Sequence, residues 1–186
     1  GADTAPCGTD VSIESEGRPV QVNELWNHPH TILLDGGMGT MLQAAGLQLG
    51  ARPEELNITD PEQIQRIHGM YAAAGSRIIN TNTFGASPRK LAKSAYTLEE
   101  VVAAGVACCK RACQPFGALT ALDIGPLGEL LEPIGTLPFE SAVADFARIV
   151  RAGAAAGADL VVVETFTDLY ELKAALLAVK ENCNLP

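Results

Sequence analysis

Four short apolar runs punctuate this chain, and each ends in a polar residue. Residues 31–34 (Thr-Ile-Leu-Leu) stop at Asp35. Residues 77–81 (Arg-Ile-Ile-Asn-Thr) stop at Asn82. Residues 118–122 (Ala-Leu-Thr-Ala-Leu) stop at Asp123, and residues 160–163 (Leu-Val-Val-Val) stop at Glu164. Runs of this length, bounded by glycines and helical stretches, predict buried strands. Apolar strands that carry polar groups at their carboxyl ends describe the active face of a β/α barrel, which closes with eight strands. The expected fold is therefore α/β: the N-terminal half, about four βα units, of a (β/α)8 TIM barrel. An open doubly wound sheet uses the same βα repeats and is the alternative.

The segments between the strands carry helix signals. Val22 to Trp26 predicts a short helix under the barrel floor, and a second short helix ends near Ala45. Asp60 suits an N-cap and Pro61 the first helical position. Ile64, Ile67, His68 and Tyr71 then recur at helical spacing until Gly75. Thr97 and Glu100 form a capping-box pattern ahead of a helix that runs to about Cys113. Phe139, Val143, Phe146 and Val150 line one face of another. Asp168 and Glu171 resemble a capping pair for the last helix, with Leu169, Leu172, Leu176 and Val179 as its apolar stripe. A fifth strand would start at residues 184–186. Residues 1–21 lack periodicity and read as a flexible arm; residues 22–186 form the barrel domain, expected to be truncated.

An internal repeat supports this organisation. Ala72-Ala-Ala-Gly75 through Asn82-Thr83-Phe84 aligns without gaps on Ala154-Ala-Ala-Gly157 through Glu164-Thr165-Phe166, an offset of two βα units. Strands two and four of a barrel share interior layers, so similar sequences there make geometric sense.

Composition narrows the function classes. The 186 residues are 47% apolar, enough for one sizeable core, and carry a formal net charge of -9. Without a basic run, nucleic acid is not an expected partner. No apolar run approaches the roughly 20 residues of a membrane span. Five cysteines at uneven spacing do not suggest a disulfide framework, which makes the cytoplasm the expected compartment.

The sharpest local signal is Asp35-Gly-Gly-Met-Gly-Thr40. An acid ends a buried strand, glycines allow backbone N–H groups to approach a ligand, and a helix begins. The plain alternative is a tight turn with Asp35 as a cap. A dinucleotide fingerprint fits poorly, since Leu42 stands where its third glycine belongs. Glu164 follows four apolar residues, and a carboxylate there is costly without a partner. It would share a rim with Asp35, Asn82 and Asp123. Cys108 and Cys109 point about 100° apart on a helix, so one metal cannot easily take both. They read as core residues, and no metal site is expected in this chain. His28 and His30 belong at the barrel's inert end, while His68 sits on an amphipathic helix. No lysine falls at a strand end, which disfavours a Schiff-base mechanism using this half.

The ordered motifs resemble a known family. Leu33-Leu-Asp-Gly-Gly-Met-Gly-Thr40 is similar to the opening strand and loop of homocysteine S-methyltransferases. Asn57-Ile-Thr-Asp-Pro61, Ile79-Asn-Thr-Asn-Thr-Phe84, Asp123-Ile-Gly-Pro126, Leu131-Glu-Pro-Ile-Gly135 and Val163-Glu-Thr165 complete the series. The resemblance covers about residues 22–186 and is closest to the N-terminal homocysteine-binding domain of cobalamin-dependent methionine synthase. It is weaker to the betaine-dependent branch, which carries Tyr where this chain has Gly85.

The resemblance implies a barrel that binds homocysteine, holds its sulfur on zinc and methylates it to methionine. The family's zinc cysteines lie on later strands, so neither zinc ligands nor catalytic residues are expected here. Cobalamin would act through other modules. The implied substrate residues are Asp35 and Glu164 for the homocysteine ammonium, with Gly36, Gly37, Asn82 and Thr83 placing its amino-acid end. Alone, the chain should be inactive. Its expected partners are homocysteine and either the missing C-terminal half-barrel or a second copy. Two other readings stand beside this one: a non-catalytic half-barrel assembly module, and an unrelated barrel lyase using Glu164 as base.

Overall fold

The computed structural model describes residues 21–29, 31–48 and 50–186. Residues 1–20 of the expected arm, like His30, lie outside them. Three parallel strands form one sheet in the order β1 (Ile78–Asn80), β2 (Leu119–Ile124), β3 (Leu160–Val163). Asn80 pairs with Ala121, and Ala121 with Leu160. The first expected strand is shorter than its apolar run suggested. Leu34 makes a single parallel bridge to Ile78. Arg77 N donates to Leu33 O at 2.8 Å and Asp35 N to Ile78 O at 3.1 Å. The reason is its edge position: among the described residues no strand pairs with its outer side, and Leu33 and Leu34 stay 55% and 50% exposed. The spatial order of the four segments nonetheless follows the chain. At the opposite edge Val161 N donates to Pro186 O at 2.8 Å.

Helices α1 (Met38–Ala44), α2 (Leu56–Thr59), α3 (Pro61–Ala73), α4 (Leu98–Cys113), α5 (Phe139–Ala155) and α6 (Leu169–Asn182) surround the strands. The main core joins Leu122 and Ile124 to the apolar faces of α4, α5 and α6. The other face of the sheet carries a separate cluster of Ile78, Ala121 and Leu160, with Leu25, Ile32, Leu119 and Val162 against it. Period-two alternation explains the split: even positions of β2 meet the helices, and odd ones face inward. Leu25 comes from a 3-10 helix at Val22–Asn27, where the short floor helix was expected. Val22, Asn23 and Trp26 of the same turn border a recess of about 1000 Å³ beside Leu119, Thr120 and Asp159, at the amino ends of the strands.

Local signals act largely as their chemistry predicts. The Asp60 side chain accepts from Gln63 N at 3.2 Å. Thr97 and Glu100 cap α4 reciprocally. The repeat has a structural basis: Gly75 and Gly157 both take positive φ, 106° and 87°. Ser76 N reaches Tyr71 O and Ala158 N reaches Gly153 O, the same helix-ending bond in both copies. The last helix departs from expectation. Asp168 caps it through Tyr170 N, but Glu171 does not reach back. Glu171 is buried and accepts from Leu127 N at 2.7 Å. The leucine stripe is not the packed face either. Leu169 and Leu176 are 81% and 49% exposed, while Ala174, Ala175 and Ala178 are buried against the core. Small side chains let α6 approach α5 closely; Leu169 and Leu176 turn outward, while Val179 of the expected stripe packs against the core.

Candidate functional site

Three acidic residues come together at the carboxyl ends of the strands. The inward-facing row of β2 is Leu119, Ala121, Asp123; that of β3 runs Leu160, Val162 and on to Glu164. Asp35 joins from the first extended segment, its Oδ2 accepting from Asn80 N at 3.1 Å. Burial, with smaller repulsion from Glu164, raises the Asp35 carboxyl to about 6. Asp123 is more extreme. Burial, then repulsion from Glu164, Asp35 and Glu54, raises it to about 8. At neutral pH one carboxyl is thus mainly ionised and its neighbour mainly protonated, a division typical of working sites rather than of ion pairs.

Two buried threonines fix Asp123. Its N–H donates to Thr81 Oγ1 at 3.1 Å, and its carbonyl accepts from Thr83 Oγ1 at 2.7 Å. The two hydroxyls lie 2.6 Å apart. Since the Thr83 proton goes to Asp123 O, Thr81 donates to Thr83 and a closed ring forms. The ring leaves the Asp123 side chain free: Oδ1 is buried with no hydrogen-bond partner, as is Oδ1 of Asn80 on the same inward face.

The residues expected from sequence fall into two groups. Asp35 and Glu164 stand at the rim. Gly36 and Gly37 follow Asp35 directly, and Gly37 O accepts from Tyr71 Oη at 3.2 Å. A Cβ on Gly36 would lie 3.0 Å from the Tyr71 ring, which ties this glycine to close approach. Asn82 and Thr83 are engaged within the protein. Asn82 Nδ2 donates to Pro53 O at 2.8 Å and to Asn57 Oδ1 at 2.9 Å, so its side chain braces the loop before α3. It is Asn80, two residues earlier, that continues the inward row. Sequence reasoning left Asn80 and Glu54 out of the site and placed Asp123 on the rim without a substrate contact; alternation along β2 is the signal that turns Asp123 inward. Glu54, 8% exposed, accepts from Gly85 N at 2.8 Å. A Cβ at Gly85 would collide with the Glu54 carboxylate, so a larger residue there requires Glu54 to move. Thr165, directly after Glu164, has φ 60°, a strained value for a β-branched residue.

Cys108, Cys109 and Cys113 do not converge as a zinc site would require. Cys108 packs with Leu42, Ile64 and Ile67, while Cys109 packs with Ala72, Ile79 and Cys113. Cys109 Sγ and Cys113 Sγ lie 3.7 Å apart in the core. Among the described residues no three His, Cys, Asp or Glu side chains are grouped to hold a metal ion. His68 is fully buried and neither ring nitrogen has a partner; burial lowers it to about 4, so it is a neutral core residue. Among the described residues no helix is long and apolar enough to cross a membrane.

A parallel β/α sheet with an acidic rim, carrying these loop motifs, defines a class. The homocysteine S-methyltransferase family profile matches residues 32–186, and the chain belongs to that family. It is 32% identical over 156 residues to methionine synthase from Mycobacterium tuberculosis, covering 77% of this chain and 13% of that protein. Two solved structures of the homocysteine methyltransferase MmuM from Escherichia coli share its fold. The oxidized form has a TM-score of 0.75 at 24% identity, covering 86% of this chain and 61% of that one. The metallated form has a TM-score of 0.75 at 23% identity, covering 87% and 63%. The chain thus spans about an eighth of the methionine synthase it matches and about three-fifths of MmuM.

Proposed function

We propose that this chain forms the N-terminal half of a homocysteine-binding (β/α)8 barrel, and that the complete protein methylates the homocysteine sulfur to give methionine. One observation carries this reading: in a member of this family, Asp35, Asp123 and Glu164 converge at the strand ends, and among the described residues no ion pair to a protein cation reaches them. Such a rim suits a ligand ammonium. Asp35 and Glu164 hold that ammonium. Gly36 and Gly37 admit the amino-acid end of the ligand, and Asn82 and Thr83 keep the rim in shape. Zinc would hold the substrate sulfur as a thiolate, and its ligands belong to strands beyond this chain. Cobalamin, where used, belongs to other modules, and the methyl donor is chosen there.

A second reading, a half-barrel that assembles with another chain or with itself, draws support from the bare Leu33–Leu34 edge and the outward Leu169 and Leu176. The two readings are compatible, since a half-barrel needs a covering partner to work.

The test is Glu164→Gln in the intact protein. Loss of a charge-assisted hydrogen bond costs about 1.5–3 kcal/mol, so homocysteine affinity should fall roughly 10- to 150-fold. Zinc content should not change. A thiol without the amino group should be indifferent to the substitution; an equal loss for that thiol would mean that Glu164 supports the fold or the metal instead.

A further inference from the structure

Asp123 combines features that rarely occur together. Its residue is 5% exposed, and its Oδ1 has no partner. Its backbone is held at both N–H and C=O by threonine hydroxyls, so the side chain is aimed rather than loose. The charged groups that act on it come from three elements: Glu164 after β3, Asp35 ahead of α1, and Glu54 from the 3-10 turn Pro53–Glu55. All three are acids. The nearby cation, Lys90, acts on Glu54 and Glu171 and lies over the Phe84 ring at 5.4 Å.

We propose that Asp123 is a further substrate-binding residue, its free Oδ1 accepting a hydrogen bond from the ammonium group that Asp35 and Glu164 also face. This rests on the amino-acid-binding reading above. The surroundings choose the ligand's charge. An anion would meet three carboxyl groups that no cation among the described residues pairs with, whereas an ammonium offers three N–H donors to three acceptors. A neutral carboxyl donating to a substrate carboxylate is the opposite arrangement, and Asp35 and Glu164 would repel that ligand.

The proposal has a consequence in protons. When empty, the Asp123 carboxyl is mainly protonated at neutral pH, because burial and its acidic neighbours disfavour the anion. An arriving ammonium reverses that balance. The carboxyl O–H bond breaks, its proton passes to water, and the carboxylate accepts an N–H from the ligand, which keeps its own protons. Binding is therefore coupled to proton release.

The probe is L-methionine, whose thioether has no proton to lose, titrated calorimetrically into the intact protein in two buffers of different ionisation heat. A group titrating near 8 is about nine-tenths protonated at pH 7, so close to one proton should leave per methionine bound. Release should fall as pH rises through about 8 and turn to net proton uptake in more alkaline solution, where the free amino acid has lost its ammonium proton and must regain it to bind. Asp123→Asn and Asp123→Ser should bind more weakly and release about a tenth of a proton, the share left to Asp35. The des-amino analogue, 4-(methylsulfanyl)butanoate, should release none. Methionine binding without proton release, unchanged release in both variants, or no methionine binding would each overturn the assignment. Methyl transfer to homocysteine by the intact protein is scored separately. Transfer without methionine-linked proton release would remove Asp123 from the site and leave the proposed function standing.

Discussion

Replacing Asp123 by Asn should stabilise the folded chain at neutral pH, and the gain should grow with pH. The Asp123 carboxyl moves from 3.8 in a solvated chain to about 8 in the fold. An acid raised in this way binds its proton more tightly when native. Its contribution is fully present below pH 3.8, is lost steadily as pH rises through about 8, and is constant above that. The slope inside this window approaches about 1.4 kcal/mol per pH unit. At pH 7 the accumulated loss is about 4 kcal/mol, a large share of the roughly 5–15 kcal/mol that holds a domain together. Asparagine keeps the shape of the protonated acid and does not titrate. The stability gap between Asp123→Asn and the parent should therefore widen by about 3 kcal/mol between pH 5 and pH 7. Urea unfolding followed by far-ultraviolet circular dichroism at pH 5, 6, 7 and 8 measures it directly. Asp35 and Glu171, also raised by burial, tilt both proteins alike and cancel in the difference. A gap that stays level across the window would refute the claim that Asp123 is held neutral by its surroundings. A gap that narrows would mean that an unrecognised cation pairs with it.

Two further expectations concern the chain as a whole. After dialysis at neutral pH it should retain no stoichiometric zinc by elemental analysis, since Cys109 and Cys113 lack a third converging ligand among the described residues; one bound zinc lost on Cys109→Ser would reverse that reading. Sedimentation velocity should show association that rises with concentration, driven by the bare edge at Leu33 and Leu34, and a compact monomer at every concentration would count against an incomplete barrel.

Much of the fold is written in local chemistry. The capping box at Thr97 and Glu100, the Asp60–Pro61 helix start and the twin glycines at 75 and 157 act over a few residues, so a reader of the sequence meets all their parts together. Features set by distant partners were less legible. The leucines of α6 have helical spacing, but α5 selects the alanine face because only small residues allow its close approach. Glu171 has the spacing of a cap, yet Leu127 N, 44 positions away, claims it. Asn82 matches Glu164 in the repeat, but the chain leaves the sheet after Asn80 and turns Asn82 toward Pro53 and Asn57. Asp35 and Glu164 were legible because each ends an apolar run. Asp123 was visible as a strand end, but its weight depends on burial and on acids from three other segments.

How this chain treats its other acids supports a ligand role for the rim. Arg89 bridges Asp145 at 2.8 Å and Glu129 at 2.7 Å, and Arg148 grips Glu99 at 2.9 Å. Where carboxylates serve the fold, arginines or backbone N–H groups meet them. Among the described residues no such ion pair reaches Asp35, Asp123 or Glu164. The same rim holds an unpartnered Asp123 Oδ1, an unpartnered Asn80 Oδ1 and a β-branched residue at φ 60°. Each of these lowers stability, and any one could arise in a structural site. Their concentration at the carboxyl ends of parallel strands is hard to reconcile with selection for stability alone. A cationic amino-acid head group, arriving from solvent, supplies the missing donors and offsets the repulsion together. That is why removing charge at Asp123 should strengthen the empty fold and weaken its hold on the ligand, two opposite effects from one substitution.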